Sequence, residues 1–420
     1  MKQSVLTIAA DVDPNGLEAV RAAIAVVHDD PAGNALLPFA QFDTLHFASL
    51  VLAEPPWLDR AKLIFECNVD GTVDVWLATL AGGAGAGLDA LFAGSPGYPG
   101  SADSARLQSW LASHVVLPRA FHIGATGRSL ERIRKEAELH QAIDAFLDEQ
   151  DAAGALGGAA PASVRTSVQQ MVRSDPTLRW AQERPGPRQT AWERASHVSR
   201  AVVTAMVVFA LLPVLLPLAL VALPVLLVKE LTDPVQQEPP PPAHVRDVEQ
   251  DEDQDLVAQN HLSSLIPVKP GILRTTLLPV VLYFVNLLAR ISATHGTLSG
   301  IPSIHFAHWS LIDGHLLFVS NFDGSWESYL GDFIDKAARG LTAVWSNTVN
   351  FPRTTLLVLR GAADGPRFRQ WARANQCRTG AWYTAYPTAS MTIVDNNSTI
   401  REELFADLEP DEVVKWLRRL

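Results

Sequence analysis

An internal repeat constrains the fold of this chain more than any other feature. Residues 63–99 align without a gap on residues 316–352, and 11 of the 37 positions are identical. Both copies carry the motif Asn-x-Asp-Gly, and a second short match precedes each copy. The matching segments are His46-Phe47-Ala48 and His305-Phe306-Ala307. Because the motifs recur in one order, the chain is predicted to contain two copies of one structural unit.

Hydrophobic periodicity predicts the same order of elements in both copies. The first copy has strand-like runs at 4–10, 45–52, 62–69 and 115–123, with helical runs at 14–27 and 72–92. The second has strand-like runs at 262–267, 303–312, 316–322 and 354–359, with helical runs at 272–291 and 325–345. The order β-α-β-β-α-β is that of the ferredoxin-like unit. The predicted fold is therefore α+β, with two ferredoxin-like repeats that pack as an α/β-barrel.

An apolar segment separates the two copies. Residues 201–228 contain no charged side chain, and about 20 apolar residues suffice to span a bilayer as a helix. Six arginines precede the segment, so its amino-terminal flank is predicted to be cytoplasmic by the positive-inside rule. A buried core helix is the competing interpretation, but soluble helices of this length normally carry a polar face.

A single membrane span would place the two copies on opposite sides of the membrane, where they could not share a barrel. Two full spans need about 40 residues, which is more than the segment provides. Pro213, Pro217 and Pro224 favour a reversal within it. We therefore expect an apolar hairpin that dips into one leaflet and leaves both copies on the cytoplasmic face. The alternative is a true span, with each copy pairing with another chain as a homo-oligomer.

The predicted organisation has five parts. They are a first repeat with an added helix (1–150), an Arg-rich helical connector (151–200), the membrane segment (201–228), a Pro-rich and acidic linker (229–258), and a second repeat with a carboxy-terminal extension (259–420). A second apolar stretch at 277–289 either lies on the membrane or forms the core face of a helix in the second repeat.

Composition excludes several classes of protein. The formal net charge is −11, so a basic nucleic-acid-binding face is not expected. The two cysteines, Cys67 and Cys377, do not provide a disulfide framework or a paired-cysteine metal site. The expected partners are a lipid bilayer and an apolar small molecule.

Histidines at equivalent positions are the first candidates for chemistry. Strand alternation would place His305 on the same face as Trp309, where an imidazole could bind a metal or act as an acid or base. His308 occurs only in the second copy and is a further catalytic candidate. The alternative is that His46 and His305 are structural and bond across the hairpin, for example to Asn68 or Asn321.

The Asn-x-Asp-Gly motif supplies a resemblance to a known family. Residues 67–71 and 320–324 are similar to the Gly-x-x-Asp-Gly motif of dye-decolourising peroxidases, although the first glycine is absent. These enzymes and the chlorite dismutases form a superfamily of duplicated ferredoxin-like barrels. The resemblance implies that a haem cofactor could bind and that Asp323 could serve as a distal acid. Helix capping by the aspartate and the glycine is the alternative explanation.

The second copy is the more aromatic of the two and is predicted to hold the functional site. The candidate catalytic residues are His305, Asp323 and His308, and the candidate cofactor-binding residues are His305, Trp309, Phe322 and Trp326. The predicted function is a membrane-surface oxidoreductase that acts on an apolar or lipid-derived substrate. Such an enzyme could use haem in the manner of a peroxidase. The alternative is a non-catalytic membrane-associated protein that binds a lipid or other ligand or serves as a scaffold.

Overall fold

The computed structural model describes residues 2–186, 191–250, 252, 258–292, 298 and 300–420. Residues 187–190 of the Arg-rich connector, and 251 and 253–257 of the acidic linker, lie outside the described residues. The structure confirms an α+β protein with antiparallel sheets and a long apolar helix.

The strands form two five-stranded antiparallel sheets and one short hairpin. The strands are β1 (Gln3–Val12), β2 (Leu45–Ala53), β3 (Ala61–Asp70), β4 (Val115–Val116), β5 (Ala120–Ile123), β6 (Gln259–Pro267), β7 (Ile304–Ile312), β8 (His315–Asp323), β9 (Thr354–Thr355), β10 (Leu359–Arg360), β11 (Gln376–Cys377) and β12 (Ala381–Thr384).

Helices cover the outer face of each sheet and form a separate bundle. They are α1 (Leu17–Asp29), α2 (Val73–Gly83), α3 (Gly85–Phe92), α4 (Ser104–Ser113), α5 (Leu130–Ala152), α6 (Pro161–Ser174), α7 (Ala191–Thr232), α8 (Pro242–Glu249), α9 (Ile272–Ser292), α10 (Trp326–Asp332), α11 (Ala338–Trp345), α12 (Gly365–Ala374), α13 (Met391–Leu404) and α14 (Pro410–Leu417). A π-helical turn, Phe333–Ala337, joins α10 to α11.

The two halves of the chain exchange strands. The first sheet has the order β12-β2-β3-β1-β4 and the second has the order β11-β6-β8-β7-β5. Each half therefore contributes four strands to its own sheet and one strand to the edge of the other. Ala120 of β5 pairs with Trp309, and Ala381 of β12 pairs with Leu50.

This exchange corrects the predicted strand at 115–123. The run divides into β4 and β5, which belong to different sheets. Pro118 lies between them and cannot donate a backbone hydrogen bond, so the chain can leave one sheet there and join the other. The predicted strand at 354–359 is also wrong, because these residues contribute only to the separate hairpin β9–β10. Strand β11 takes the equivalent place beside β6.

The second helical run of each copy is interrupted. In the first copy α2 and α3 meet at Ala84 with a bend of 93°. Gly87 permits this path, because a Cβ atom there would lie 2.2 Å from the carbonyl oxygen of Leu36. In the second copy the π-helical turn interrupts the helix instead.

The membrane segment lies within one helix rather than in a hairpin with two separate arms. Helix α7 is 42 residues long and contains all three prolines. A proline removes one hydrogen bond of the helix and can kink it, but the neighbouring backbone groups still bond within the helix. The predicted break is therefore corrected to a continuous helix.

The two sheets pack face to face. One apolar cluster between them contains residues of both sheets, including Val51 and Ile64 of the first and Leu265 and Leu317 of the second. The outer faces pack against α1–α4 and against α9–α12, respectively. Helices α5, α6, α13 and α14 share a further apolar cluster.

Candidate functional site

Polar side chains form a layer between the two sheets. In the first sheet Glu66 pairs with Thr7 on one side and with Ser49 on the other. In the second sheet Val319 pairs with Ser263 and His308. Residues two apart along a strand point to the same face, so these polar groups share the inner face with the apolar cluster described above. All of these side chains are buried.

An asparagine pair connects the two sheets within this layer. The Nδ2 of Asn321 donates a hydrogen bond of 2.8 Å to the Oδ1 of Asn68. The Oδ1 of Asn321 accepts from the indole N–H of Trp382 and from Nδ1 of His261, each at 2.9 Å. Both asparagines belong to the repeated Asn-x-Asp-Gly motif, so the motif places its first residue at the interface between the halves.

Glu66 is the carboxylic acid of the layer. Its Oε1 accepts a hydrogen bond from the amide of Asn68, and Nδ1 of His308 lies 4.0 Å from the same oxygen. Burial raises the pKa of Glu66 to about 8, because desolvation penalises the charged carboxylate. At neutral pH this side chain is therefore mostly a neutral acid that can donate a hydrogen bond.

The two imidazoles of the layer are held neutral. Burial lowers the pKa of His261 to about 4 and the pKa of His308 to about 3, since the protonated rings would be desolvated. Nε2 of His308 lies 3.2 Å from the hydroxyl of Thr7. A neutral acid beside neutral imidazoles can move a proton within the layer, but the adjoining cavity, beside His261 and Trp382, has a volume of only about 30 Å³.

A pair of His–Asp contacts lies at one end of the sheets. Nε2 of His46 is 3.1 Å from Oδ1 of Asp70, and Nε2 of His305 is 2.7 Å from Oδ1 of Asp323. Each histidine stands where the pairing register shifts in a β-bulge. An extra residue in a strand reverses the alternation beyond it, so the bulge re-aims the histidine.

The aspartates of these pairs also cap helices. Oδ2 of Asp70 accepts from the backbone N–H of Leu130 at 2.7 Å, and Oδ2 of Asp323 accepts from that of Met391 at 2.8 Å. These are the first residues of α5 and α13. A carboxylate is favourable at a helix amino terminus. The motif therefore caps a distant helix, not the helix that follows it as the sequence suggested.

The predicted cofactor-binding residues are distributed over two environments. His305 packs against the rings of Phe47 and Tyr386, between the sheets. Trp309, Phe322 and Trp326 lie in the cluster on the outer face of the second sheet. The expectation that His305 shares a face with Trp309 is therefore wrong, because His305 stands at the bulge, where the alternation of the strand is broken.

The surroundings of His305 do not fit a haem. Its Nε2 is engaged by Asp323, its side chain is fully buried, and aromatic rings cover it. His305 does not line the cavities of about 30, 410 and 760 Å³. Among the described residues, no group of three or more His, Cys, Asp or Glu side chains is arranged to hold a metal ion.

A larger cavity lies against α9, on the outer side of the second sheet. Its volume is about 410 Å³, within the usual range for small-molecule sites. The apolar part of its wall includes Phe121 of β5, Val285 and Ala289 of α9, Trp309 of β7, and Leu341 of α11. The polar groups of the wall belong to His122, Asn286, Asp335, Lys336 and Arg339. We call this space the α9 cavity.

A third cavity of about 760 Å³ is an open cleft between α1 and the segment 374–380, lined by charged and polar groups that include Arg21, Glu54 and His244. Salt bridges already engage Arg21 with Glu18 and Glu54. The cleft shares no lining residue with the α9 cavity.

Sequence reasoning missed Glu66 and His261 as members of the inner layer. A signal for Glu66 was present, because it is the only charged residue in the apolar run from Leu63 to Val69. His261 gave no such signal, since it stands at the polar start of β6. The structure does bring the predicted residues His305 and Asp323 together, and it places His308 beside Glu66.

Comparisons of the chain with protein-family models, curated proteins and solved structures find no match.

Proposed function

We propose that the protein is a monotopic membrane protein that binds an apolar ligand drawn from the bilayer. The observation that carries the membrane part is the position of α7 in the sheet connectivity. Strand β5 precedes α7 and β6 follows it, and both strands belong to the second sheet. A helix whose two ends lead into one sheet cannot separate two compartments. Helix α7 must therefore enter and leave on the same side.

The same reasoning applies to α9, the second helix that is long and apolar enough to cross a membrane. Strand β6 precedes it, and β7 and β8 follow it, all within one sheet. Both helices are therefore proposed to lie in one leaflet.

Contacts at both ends of α7 support a bent path. Near one end, the hydroxyl of Thr204 lies 2.7 Å from that of Tyr283, and beyond the other end Asp233 pairs with Arg274 at 2.9 Å. Tyr283 and Arg274 are about 13 Å apart along α9. The 29 residues from Thr204 to Asp233 would extend about 43 Å if they formed a straight helix. Side chains can bridge only part of this difference. The helix therefore curves within its proline-containing stretch, which suits a continuous helix that lies in one leaflet.

Helices α7 and α9 both expose apolar side chains to the surroundings of the protein. The most hydrophobic window of α7 has no buried residue, and a helix that is apolar on all sides needs an apolar environment. Val280, Phe284 and Leu288 form an exposed stripe on α9 at a spacing of four residues. Large exposed apolar patches mark interaction sites such as a membrane surface.

The hairpin β9–β10 adds to this surface. Leu356, Val358 and Leu359 are exposed. The hairpin is fixed to the end of α7, because the carboxylate of Glu230 accepts hydrogen bonds from the backbone N–H groups of Leu356 and Leu357, each at 2.8 Å. We propose that this loop touches the same leaflet as α7.

The α9 cavity supports the ligand-binding part of the proposal. Val285 and Ala289 of its wall each follow directly after a residue of the exposed stripe, so they lie about 100° around α9 from it. One helix therefore contributes to both the proposed bilayer surface and the cavity wall. An apolar molecule that leaves the bilayer has a short path into it, and an apolar wall with a few polar groups is typical of a ligand site.

For the fold, we propose that the two halves are ferredoxin-like repeats that together form an α/β-barrel. The strand order within each half, fourth-first-third-second, supports the repeats. The shared interior of the two sheets supports the barrel. Membership of the chlorite dismutase and dye-decolourising peroxidase superfamily stays a prediction from the sequence.

Oxidoreductase activity also stays a prediction, and the absorption spectrum of the purified protein tests it, since bound haem gives a Soret band. The cytoplasmic orientation remains a proposal based on the arginines that precede the apolar segment. The homo-oligomer named as the alternative is not needed for the sheets, because the two halves of one chain complete each other.

Filling the α9 cavity tests the ligand-binding proposal. In Ala289→Trp a large side chain replaces a small one in the wall, so a fluorescent apolar probe in detergent-solubilised full-length protein should no longer bind. Ala162→Trp is the matched control, because Ala162 is exposed on α6. Equal probe binding by the two variants, with unchanged circular-dichroism spectra, would contradict a ligand site in this cavity.

A further inference from the structure

We propose that the ligand of the α9 cavity is an anionic amphiphile, a long-chain carboxylate taken from the bilayer. This inference rests on the proposed function and adds the chemical class of the ligand. Its evidence comes from the few polar and charged groups of the cavity wall.

The first observation is an unsatisfied donor. Trp309 lines the cavity and is only 5% exposed, and its indole N–H has no acceptor among the described residues. A buried donor without a partner costs free energy comparable to a lost hydrogen bond. A ligand with an oxygen atom would supply the missing acceptor, whereas a hydrocarbon would not.

The second observation is the sign of the charges at the cavity. Two cationic side chains, Lys336 and Arg339, line it together with one carboxylate, Asp335, and all three are exposed. Lys336 forms a salt bridge of 2.8 Å with Asp332, outside the lining. Arg339 forms no salt bridge with the described residues, so its guanidinium can pair with the carboxylate of a ligand.

A third observation concerns the backbone at this wall. Asp335, Lys336 and Ala337 belong to the π-helical turn Phe333–Ala337. Single π-helical turns within α-helices are frequent at functional sites. The equivalent position in the first half is occupied by the sharp bend at Ala84, so this wall is a feature of the second half alone.

These groups define how the ligand would lie. Its carboxylate would sit between the Trp309 indole and the cationic side of the wall, and its chain would extend along Val285 and Ala289 of α9. The polar end is then satisfied by hydrogen bonds, and the chain remains in apolar surroundings. The neighbouring face of α9 carries the exposed stripe, so the bilayer is the proposed source.

Three ligands that share one hydrocarbon chain and differ in their polar group test this assignment. Dodecanoate, dodecanol and dodecylamine compete against a fluorescent apolar probe bound to the full-length protein in phosphatidylcholine nanodiscs, with Ala289→Trp as the blocked control for partition into lipid. Dodecanoate should compete about tenfold more strongly than dodecylamine, because only the acid matches the cationic groups.

Two variants separate the contributions of the wall. Trp309→Phe removes the indole N–H and should weaken the binding of both dodecanoate and dodecanol about five- to tenfold. Arg339→Gln should weaken the binding of dodecanoate alone. Arg418→Gln is the control, because this exposed arginine near the carboxy terminus does not line the cavity, and it should have no effect. Circular dichroism verifies that each variant is folded.

The outcomes distinguish this inference from the function on which it rests. Equal competition by the acid and the amine, or no response to Trp309→Phe and Arg339→Gln, overturns the carboxylate assignment but leaves an apolar site. If the native protein and Ala289→Trp bind the fluorescent probe equally, the cavity is not a ligand site.

A second experiment tests the source of the ligand. The rate at which the protein takes up dodecanoate from donor vesicles should increase with vesicle concentration, and a rate independent of that concentration would exclude direct uptake from the bilayer.

Discussion

The side-chain amide of Asn321 donates a hydrogen bond of 2.8 Å to the side-chain oxygen of Asn68, and this bond joins the two sheets at a repeated position. The same residue of the motif thus meets its own copy across the interface. Asn321 also accepts from Trp382 on the exchanged strand β12 and from His261 on β6. One side chain therefore connects strands from both sheets.

Asn321→Ala should destabilise the protein by about 2–4 kcal/mol. The change leaves buried groups of Asn68, Trp382 and His261 without their partner, and each unsatisfied buried group costs about 1–3 kcal/mol, with partial relaxation. Urea unfolding of the full-length protein in mild detergent, followed by circular dichroism, measures the loss. Asn396→Ala, at a more exposed position of α13, is the control, and an equal effect of the two changes would contradict the central role of Asn321.

Glu66→Gln should remove a decrease of stability that the native protein shows between pH 4.5 and about pH 8. The folded protein loses the Glu66 proton only near pH 8, whereas the unfolded chain, with an ordinary pKa of 4.5, loses it earlier. Between these values the folded state binds more protons, so its stability decreases as the pH rises. Glutamine cannot ionise, so the variant should gain up to a few kcal/mol relative to the native protein from pH 5 to pH 9.

The histidines His261 and His308 contribute the opposite slope at lower pH. Their folded-state pKa values, about 4 and about 3, lie below the ordinary value of 6.5, so the unfolded state binds more protons in that window. Stability should therefore rise from about pH 3 to pH 6.5. Unfolding free energies across this range in Glu66→Gln isolate the histidine contribution, and a flat profile would contradict the buried, neutral state of both rings.

His46→Ala and His305→Ala should destabilise the protein by similar amounts, about 1–3 kcal/mol each. Each change leaves an aspartate that caps a helix without its imidazole partner, and the two sites have matching geometry. Thermal unfolding of the two variants measures this. A selective loss of ligand binding in His305→Ala, with unchanged stability, would instead support the catalytic role predicted from the sequence.

Deletion of residues 201–228 should release only part of the protein from membranes. The exposed stripe of α9 and the hairpin β9–β10 remain, so further replacement of Phe284 and Leu288 by Ser should complete the release. Fractionation of cell extracts after a high-salt wash measures the distribution. If the deletion variant with both replacements still sediments completely, another surface carries the attachment.

Local signals were sufficient to predict much of the fold. The alternation of apolar residues located β1, β2, β3, β6, β7 and β8 within one to three residues, because buried strands have distinctive apolar runs. The apolar helix was evident for the same reason. The α+β class followed from the repeat.

The exchange of β5 and β12 was not predictable from such signals. Strand pairing between residues such as Ala120 and Trp309 depends on contacts far apart in sequence, and periodicity reports only which face is apolar. Pro118 offered the one local indication, since it interrupts the run that was interpreted as a single strand. The bulges at His46 and His305 could not be predicted from local sequence patterns either, because one extra residue leaves the composition of a strand unchanged.

The candidate site depended on the same non-local information. Helix capping by Asp70 and Asp323 was one of two interpretations of the motif, but the helices that they cap begin 60 and 68 residues later. The α9 cavity is formed by β5, α9, β7 and the π-helical turn, which no single motif connects. Its residues acquire a common role only after the exchanged strand is in place.

Site-specific labelling measures the proposed arrangement of the membrane helices most directly. Single cysteines are introduced at Thr166 on α6 and at Asp411 on α14, both exposed, in a chain with Cys377→Ser. A membrane-impermeant maleimide is then added to sealed vesicles of one known orientation. Because β5 and β6 share a sheet, both positions should react in vesicles of one orientation, and neither should react in vesicles of the other. Labelling of the two positions from opposite sides would show that α7 crosses the membrane, and it would contradict the monotopic account.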